Sequence, residues 1–299
     1  MLARLMRSML LAESALGAAL GYWLVSSNDW SLWTVPLLAA LLPFAAVLPG
    51  HLAATLLSRA RNEPAALWWR ALAGETWATI LVFVLRQPWS RHAPTLSGER
   101  GNPARVAVLL VHGYMCNHRI WDEMAAVLRR QGHTVLAIDL EPVFAPIDDY
   151  APLIEAAVQA LCAHTGQAQV ALVGHSMGGL AIRAWMRAHG TERVARVLTL
   201  GTPHVGTKLA QASSTPNGRQ MRWHSTWLAE LATSEAAQSY RLIHVALTPQ
   251  DNIVFPQRAQ VLDGVTPTVF EGLGHVQLAL DPGVAQWVQD HLADITPTP

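Results

Sequence analysis

From Val106 onward, short apolar runs alternate with amphipathic stretches, a pattern that predicts strands followed by helices. Val106–Val111 reads as a buried strand, and Ile120–Arg130 as a helix closed by Gly132. Thr134–Leu140 follows as a strand, then Asp148–His164 as an amphipathic helix stopped by Gly166. Val170–Val173 is the next apolar run, and a helical pattern from about Met177 continues through Ala181, Ile182, Trp185 and Met186. Further strands are predicted at Val194–Leu200, Leu242–Leu247 and Thr268–Phe270, before a last helix over Asp281–Leu292. Val170–Val173 has no polar alternation and reads as a buried parallel strand. Strands alternating with helices imply an α/β fold with a doubly wound, mostly parallel sheet. Val205–Tyr240 has no strand signal and carries Met221, Trp223 and Trp227, which predicts a short helical cap at about 205–240.

The front of the chain follows another pattern. Met9–Val25 is apolar apart from Glu13 and a few small residues, and Val35–Leu57 holds only His51 as a chargeable group. Each is long enough to cross a hydrocarbon core. The short polar link Ser26–Asp29 makes the pair a helical transmembrane hairpin, with Pro36, Pro43 and Pro49 bending its second span. Two other readings compete. A secretory signal is opposed by the missing A-x-A site and by the second apolar segment. A pair of core helices is opposed by the lack of comparably apolar surface to cover them.

Arg4 and Arg7 precede the first span, Arg59, Arg61 and Arg70 follow the second, and the link holds no Lys or Arg. The positive-inside rule then places both ends, and everything downstream, on the cytoplasmic side of the inner membrane. Thr76–Leu85 is apolar but short and reads as an interfacial piece; were it to cross, the downstream part would face the other side. Arg91–Ala104, rich in Pro, Gly and charge, reads as a linker. The expected organisation is a membrane-anchoring segment over 1–90, a linker over 91–104 and a catalytic domain over 105–299.

Composition changes this picture in four places. The 299 residues carry 21 basic and 21 acidic side chains, so nothing suggests nucleic acid as a partner. Charged residues are only 14 % and mean hydropathy is +0.22; the apolar surplus sits at the front. Cys116 and Cys162 are too few for a disulfide framework or a thiolate zinc site. Seven of the twelve tryptophans (Trp23, Trp30, Trp33, Trp68, Trp69, Trp77, Trp89) precede residue 100, where an interfacial belt would place them.

Chemistry centres on Gly174-His175-Ser176-Met177-Gly178. G-x-S-x-G alone is weak, because glycine and serine are common in loops. Between an apolar strand and a helix it is the nucleophile elbow, a strained turn that lifts the Ser176 hydroxyl above the sheet edge. A serine needs a base, and the base an orienting carboxylate. Asp251 follows the predicted strand Leu242–Leu247, and His275 follows Thr268–Phe270, so both fall at carboxyl ends of strands. The competing readings are a surface-loop histidine for His275, and Asp263 in place of Asp251. An oxyanion hole needs two backbone donors; Met177 opens the elbow helix, and Tyr114 follows Gly113 after the first strand. His112 is expected to support that loop rather than act as a base.

His112-Gly113-Tyr114, Gly174-His175-Ser176-Met177-Gly178-Gly179, Gly201-Thr202-Pro203-His204-Val205-Gly206-Thr207 and Gly274-His275 together resemble bacterial triacylglycerol lipases and related esterases of the α/β-hydrolase superfamily. The resemblance spans about Val106–Leu292. It implies carboxylic-ester hydrolysis through an acyl-enzyme, with Ser176 as nucleophile, His275 as base, Asp251 as its orienting acid and the Tyr114 and Met177 N–H groups on the oxyanion. The implied substrate is a lipid or other acyl ester. Secreted lipases of this type often carry a disulfide and a calcium site near the histidine. Here no cysteine follows Cys162 and Gln277 stands two positions after His275, so neither metal nor cofactor is expected. The same triad would serve an acyltransferase, a thioesterase or a phospholipase. A non-catalytic membrane scaffold on the same fold is the reading from another class, and the presence of all three side chains opposes it.

Overall fold

The computed structural model describes residues 1–28, 30–91, 95–96, 101–235 and 239–298. Six strands form one sheet in which every pair is parallel: β1 (Ala107–Val111), β2 (Val135–Ile138), β3 (Val170–His175), β4 (Val194–Leu200), β5 (Ile243–Leu247) and β6 (Thr268–Val269), in the order β2-β1-β3-β4-β5-β6. Strand order reverses between β1 and β3, and ligands in open α/β sheets bind outside such a switch point. Every residue of β1 is buried. Ala107, Leu109 and Val111 enter one core layer, Val108 and Leu110 the other. Each predicted strand is present, within two residues at its ends.

One core layer holds α6 (Ala151–Thr165) and α7 (Met177–His189), through residues such as Ile154, Val158, Leu180 and Trp185. The opposite layer holds α5 (Asp122–Arg130) and α10 (Pro282–Ala293), through Leu128, Val284 and Val288. Asp281 caps α10 by accepting from the Gly283 and Val284 N–H groups. The cap region contains two short helices, α8 (Pro216–Gln220) and α9 (Thr226–Ser234); residues 236–238 of the expected 205–240 segment lie outside the described residues. In the expected linker, residues 92–94 and 97–100 also lie outside them. Its end is docked, because the Gly101 and Asn102 N–H groups donate to Thr134 Oγ1 and the Gly132 carbonyl.

The N-terminal helices are α1 (Leu2–Asn28), α2 (Thr34–Ala45), α3 (Val47–Ser58) and α4 (Ala65–Thr79), the last running into a π-helical turn over Ile80–Arg86. The second predicted span is jointed at Ala46, where Pro49 has no N–H to donate to the carbonyl four residues back. Gly17 and Gly21 let α1 and α2 touch backbone to backbone; a Cβ at Gly17 would come within 2.3 Å of the Leu38 carbonyl oxygen. Both candidate spans are largely uncovered, with only 11 % and 6 % of their most apolar windows buried. Helices of a soluble core would be the reverse.

Thr76–Leu85, expected to lie along a membrane, packs on the sheet domain with one of its faces. Ala78 and Val82 are buried in the same core layer as Val108, Leu110 and Leu128, although Trp77 and Leu85 remain exposed. A short apolar run looks the same to lipid and to a protein core. The aromatic belt divides likewise: Trp23, Trp33 and Trp69 are exposed, but Trp68 is 2 % exposed and packed inside.

Candidate active site

Ser176 stands where β3 becomes α7, with φ +55° and ψ −128°. A non-glycine residue held there is strained, and the neighbouring backbone over-determines it. The Ser176 N–H donates to the Leu200 carbonyl of β4 at 2.8 Å. A Cβ at Gly178 would lie 2.2 Å from the Val111 carbonyl oxygen, and one at Gly174 2.7 Å from the Gly179 backbone. Both obstacles are backbone, so only glycine fits. The loop after β1 passes over the serine: a Cβ at Gly113 would reach within 3.3 Å of Ser176 Oγ.

That loop is held by His112. Its buried ring accepts the Leu140 N–H at Nε2, at 2.9 Å, so Nδ1 carries the proton that goes to the Gly113 carbonyl, also at 2.9 Å. Burial lowers the ring's pKa, and a neutral imidazole with both nitrogens engaged is a brace. Among the described residues, neither the Tyr114 N–H nor the Met177 N–H has a protein acceptor. The Tyr114 side chain lines the cavity above Ser176, and its phenol oxygen is 3.4 Å from Thr215 Oγ1.

Asp251 and His275 meet. Nδ1 of the imidazole is 2.8 Å from Asp251 Oδ2, and both residues are buried. Asp251 Oδ1 accepts the N–H groups of Ile253 (2.8 Å) and Val254 (2.7 Å), which fixes the carboxylate plane. The rival Asp263 is exposed, in the turn before Gly264. Burial alone would push the imidazole down, but the Asp251 charge and hydrogen bond, with Glu75 behind them, leave it above its ordinary value. No protein group among the described residues bonds Ser176 Oγ or His275 Nε2, and both residues line the same cavity. Such contacts commonly close only with substrate present.

Several residues at the site were assigned no role by the motifs. His175 donates from Nε2 to the His275 carbonyl at 2.9 Å, and the two rings are 4.7 Å apart. Burial and the neighbouring His275 pull its pKa down to about 3, so it stays neutral. Glu75 of α4 accepts the Val276 and Gln277 N–H groups, and Gln87 accepts the Asn117 N–H at 2.6 Å. Gln257 bridges the Asp251 carbonyl (2.7 Å) and the Ser58 carbonyl (3.1 Å). The one hint in the sequence was Glu75 itself, a carboxylate next to an apolar run. Cys116 is buried against the site, but its thiol is pushed up to about 12 and is no nucleophile.

Two cavities meet at Ser176. The larger, about 310 Å³, runs between His51, Thr79, Phe83 and Met115; the smaller, about 160 Å³, lies under the cap beside Pro203, Leu209 and Met221. Trp227 is not in either wall, since its Nε1 donates to Asp148 Oδ2 at 2.7 Å on the α6 side. Among the described residues no group of three His, Cys, Asp or Glu side chains converges to hold a metal ion.

A non-heme haloperoxidase from Rhodococcus erythropolis is 29 % identical over 119 residues, covering 37 % of this chain and 41 % of that protein, so the chain spans less than half the length of this relative. Lipase B from Aspergillus fumigatus superposes with a TM-score of 0.59 at 16 % identity, over 69 % of this chain and 57 % of the lipase. The mature Bacillus licheniformis lipase BlEst2 does so at 0.55 and 18 % identity, over 65 % of this chain and 94 % of the lipase. Identities this low speak for a shared fold. The family model for the alpha/beta hydrolase fold matches residues 106–278, more than half of the chain, and the protein belongs to that family.

Proposed function

We propose that the chain is a membrane-anchored serine hydrolase that cleaves carboxylic esters through an acyl-enzyme. The observation that carries this reading is the 2.8 Å Asp251–His275 pair opening on the same cavity as an elbow serine. In the first step Ser176 Oγ bonds to the ester carbonyl carbon and its proton passes to His275 Nε2. Negative charge gathers on the carbonyl oxygen, where the free Tyr114 and Met177 N–H groups would receive it. The tetrahedral species collapses, the C–O bond to the alcohol breaks, and His275 returns the proton to the leaving oxygen. Water repeats the sequence on the acyl-serine and releases the acid.

Apolar cavity walls favour a substrate with an apolar acyl chain. The uncovered spans Leu2–Asn28 and Thr34–Ser58 favour a hairpin in the bilayer. Because Ala78 and Val82 pack on the sheet, 76–85 need not cross, and the hydrolase stays on the side of Arg59 and Arg61, the cytoplasmic side by charge bias.

A fluorophosphonate probe tests the reading on the full chain in detergent. Wild type labels close to one per chain and hydrolyses p-nitrophenyl esters, and Ser176→Ala does neither. A folded wild type that takes no label overturns it. Asp251→Asn is expected to lower kcat by roughly 10⁴-fold. The sign of its pH effect follows from the ion pair: the base works unprotonated, so the rate rises with pH through the His275 pKa, which Asp251 holds up. Removing that charge moves the acid limb of kcat/KM to lower pH, and a pH–rate profile measures the move.

A further inference from the structure

Glu75 of α4 is 1 % exposed, yet it belongs to no part of the serine–histidine–aspartate chemistry. Its Oε1 accepts the Val276 N–H at 3.0 Å and its Oε2 the Gln277 N–H at 3.1 Å. These are the first N–H groups of the short 3₁₀ turn Val276–Ala279, and His275 is the residue just before it. Helical starts leave such donors unsatisfied, and a carboxylate there satisfies them while favouring the positive end of the turn. The cap normally comes from the adjacent chain; here it comes from the N-terminal segment. The fit is close on the other side too, since a Cβ at Gly274 would lie 2.4 Å from Glu75 Oε2.

Resting on the hydrolase reading above, we propose that Glu75 is a positioning residue for His275. It clamps the turn that carries the base, and its negative charge favours the imidazolium that forms when His275 takes the Ser176 proton. The N-terminal segment is then part of the catalytic site as well as its attachment. Three elements hold the base from different sides: Asp251 at Nδ1, His175 at the His275 carbonyl, Glu75 at the following N–H groups. The ionisable groups around Glu75 are His275, Asp251 and Cys116, with His51 of α3 in the wall of the same cavity. Burial lifts the Glu75 carboxyl to about 7, against the opposing pull of His275 and the two N–H donors. Glu75 and His275 therefore titrate as a coupled pair, and the activity profile belongs to both.

The test uses the full chain in detergent, as wild type, Glu75→Gln and Glu75→Asp. Probe labelling counts competent serines, circular dichroism reports folding, and kcat, KM and the pH profile are measured on one p-nitrophenyl ester. Glu75→Gln removes the charge and one acceptor. It should lower kcat per labelled site by roughly 10- to 100-fold with KM within about threefold, as for a base held slightly out of line. Its acid limb should move to lower pH. Glu75→Asp keeps the charge on a shorter arm, so it should lose rate while leaving the limb near its wild-type position. A merely structural role would lower the number of labelled sites and leave kcat per site and the limb untouched; that result overturns the proposal, and if Glu75→Gln does not fold, Glu75→Asp decides by the same criteria. An NMR titration of the His275 ring in the Ser176→Ala background needs no turnover. A downward move on adding Glu75→Gln supports the clamp, and an unmoved ring overturns it, even if wild type proves unreactive and the hydrolase reading falls.

Discussion

Replacing His275 by alanine is expected to lower kcat/KM by roughly 10⁴- to 10⁶-fold, about 5–8 kcal/mol of transition-state stabilisation. Among the described residues, the ring is the only titratable group that both lines the serine's cavity and is oriented by a buried carboxylate at 2.8 Å. His112 and His175 cannot replace it. Each has a nitrogen committed to backbone, and burial keeps both neutral by lowering their pKa values. The structural cost should be modest, because Asp251 keeps its two backbone donors when the imidazole goes. Losing one hydrogen bond to a charged group costs about 1.5–3 kcal/mol, a shift of roughly 3–12 °C in Tm for a domain this size. Serine and base act as a unit, so Ser176→Ala combined with His275→Ala should be no slower than the worse single variant. Kinetics of the two singles and the double check this. Near-wild-type turnover in His275→Ala, or losses that multiply in the double, would remove His275 from the mechanism.

How far these features could be read in advance depends on where their signal lies along the chain. The strands were legible because runs such as β1 and β3 are short, mostly apolar and closed by turns, and a strand buried on both faces needs nothing more. The elbow was legible because its constraint is local, with glycines forced by backbone one or two residues away in the motif. Asp251 could be ranked above Asp263 from its place directly after a strand, and the burial of one against the exposure of the other follows that ranking. The apolar side chains of the cap divide: Met221 lines a cavity, while Trp227 is drawn away by its bond to Asp148.

The segment 76–85 could not be placed from its sequence, because apolar residues do not say whether lipid or protein covers them. Ala78 and Val82 are core, Trp77 is not, and only the partner surface decides. Gln87 and Gln257 were invisible, and the role of Glu75 unreadable, for a related reason. Their partners are backbone N–H and carbonyl groups, which every residue has, so no side-chain pattern marks the other end of the bond.

A chain beginning at Pro103 should fail to give an active, stable enzyme, although it contains the whole of the matched family region 106–278. Residues before it hold each of the three loops that carry the chemistry. Gln87 bonds Asn117 behind the loop over the serine, the Ser58 carbonyl holds Gln257 beside Asp251, and Glu75 caps the turn after His275. Arg86 adds an ion pair to Glu123 on α5. Removing them uncovers the faces on which Trp68, Ala78 and Val82 pack and leaves the Asn117, Val276 and Gln277 N–H groups without their partners. At about 1.5–3 kcal/mol for each large apolar side chain and about 1–3 kcal/mol for each orphaned buried donor, the loss is on the order of 10 kcal/mol. That equals the whole stability of an ordinary domain. A chain beginning at Ala60 separates the two functions of the segment. It drops α1 to α3 but keeps Glu75, the π-helical turn and Gln87, so it should fold and label while losing its hold on bilayers. Thermal unfolding, probe labelling and vesicle flotation of the three chains measure this. Wild-type Tm and turnover in the Pro103 chain would mean that the first ninety residues are an anchor and nothing more, and Glu75 would lose its part in the site with them.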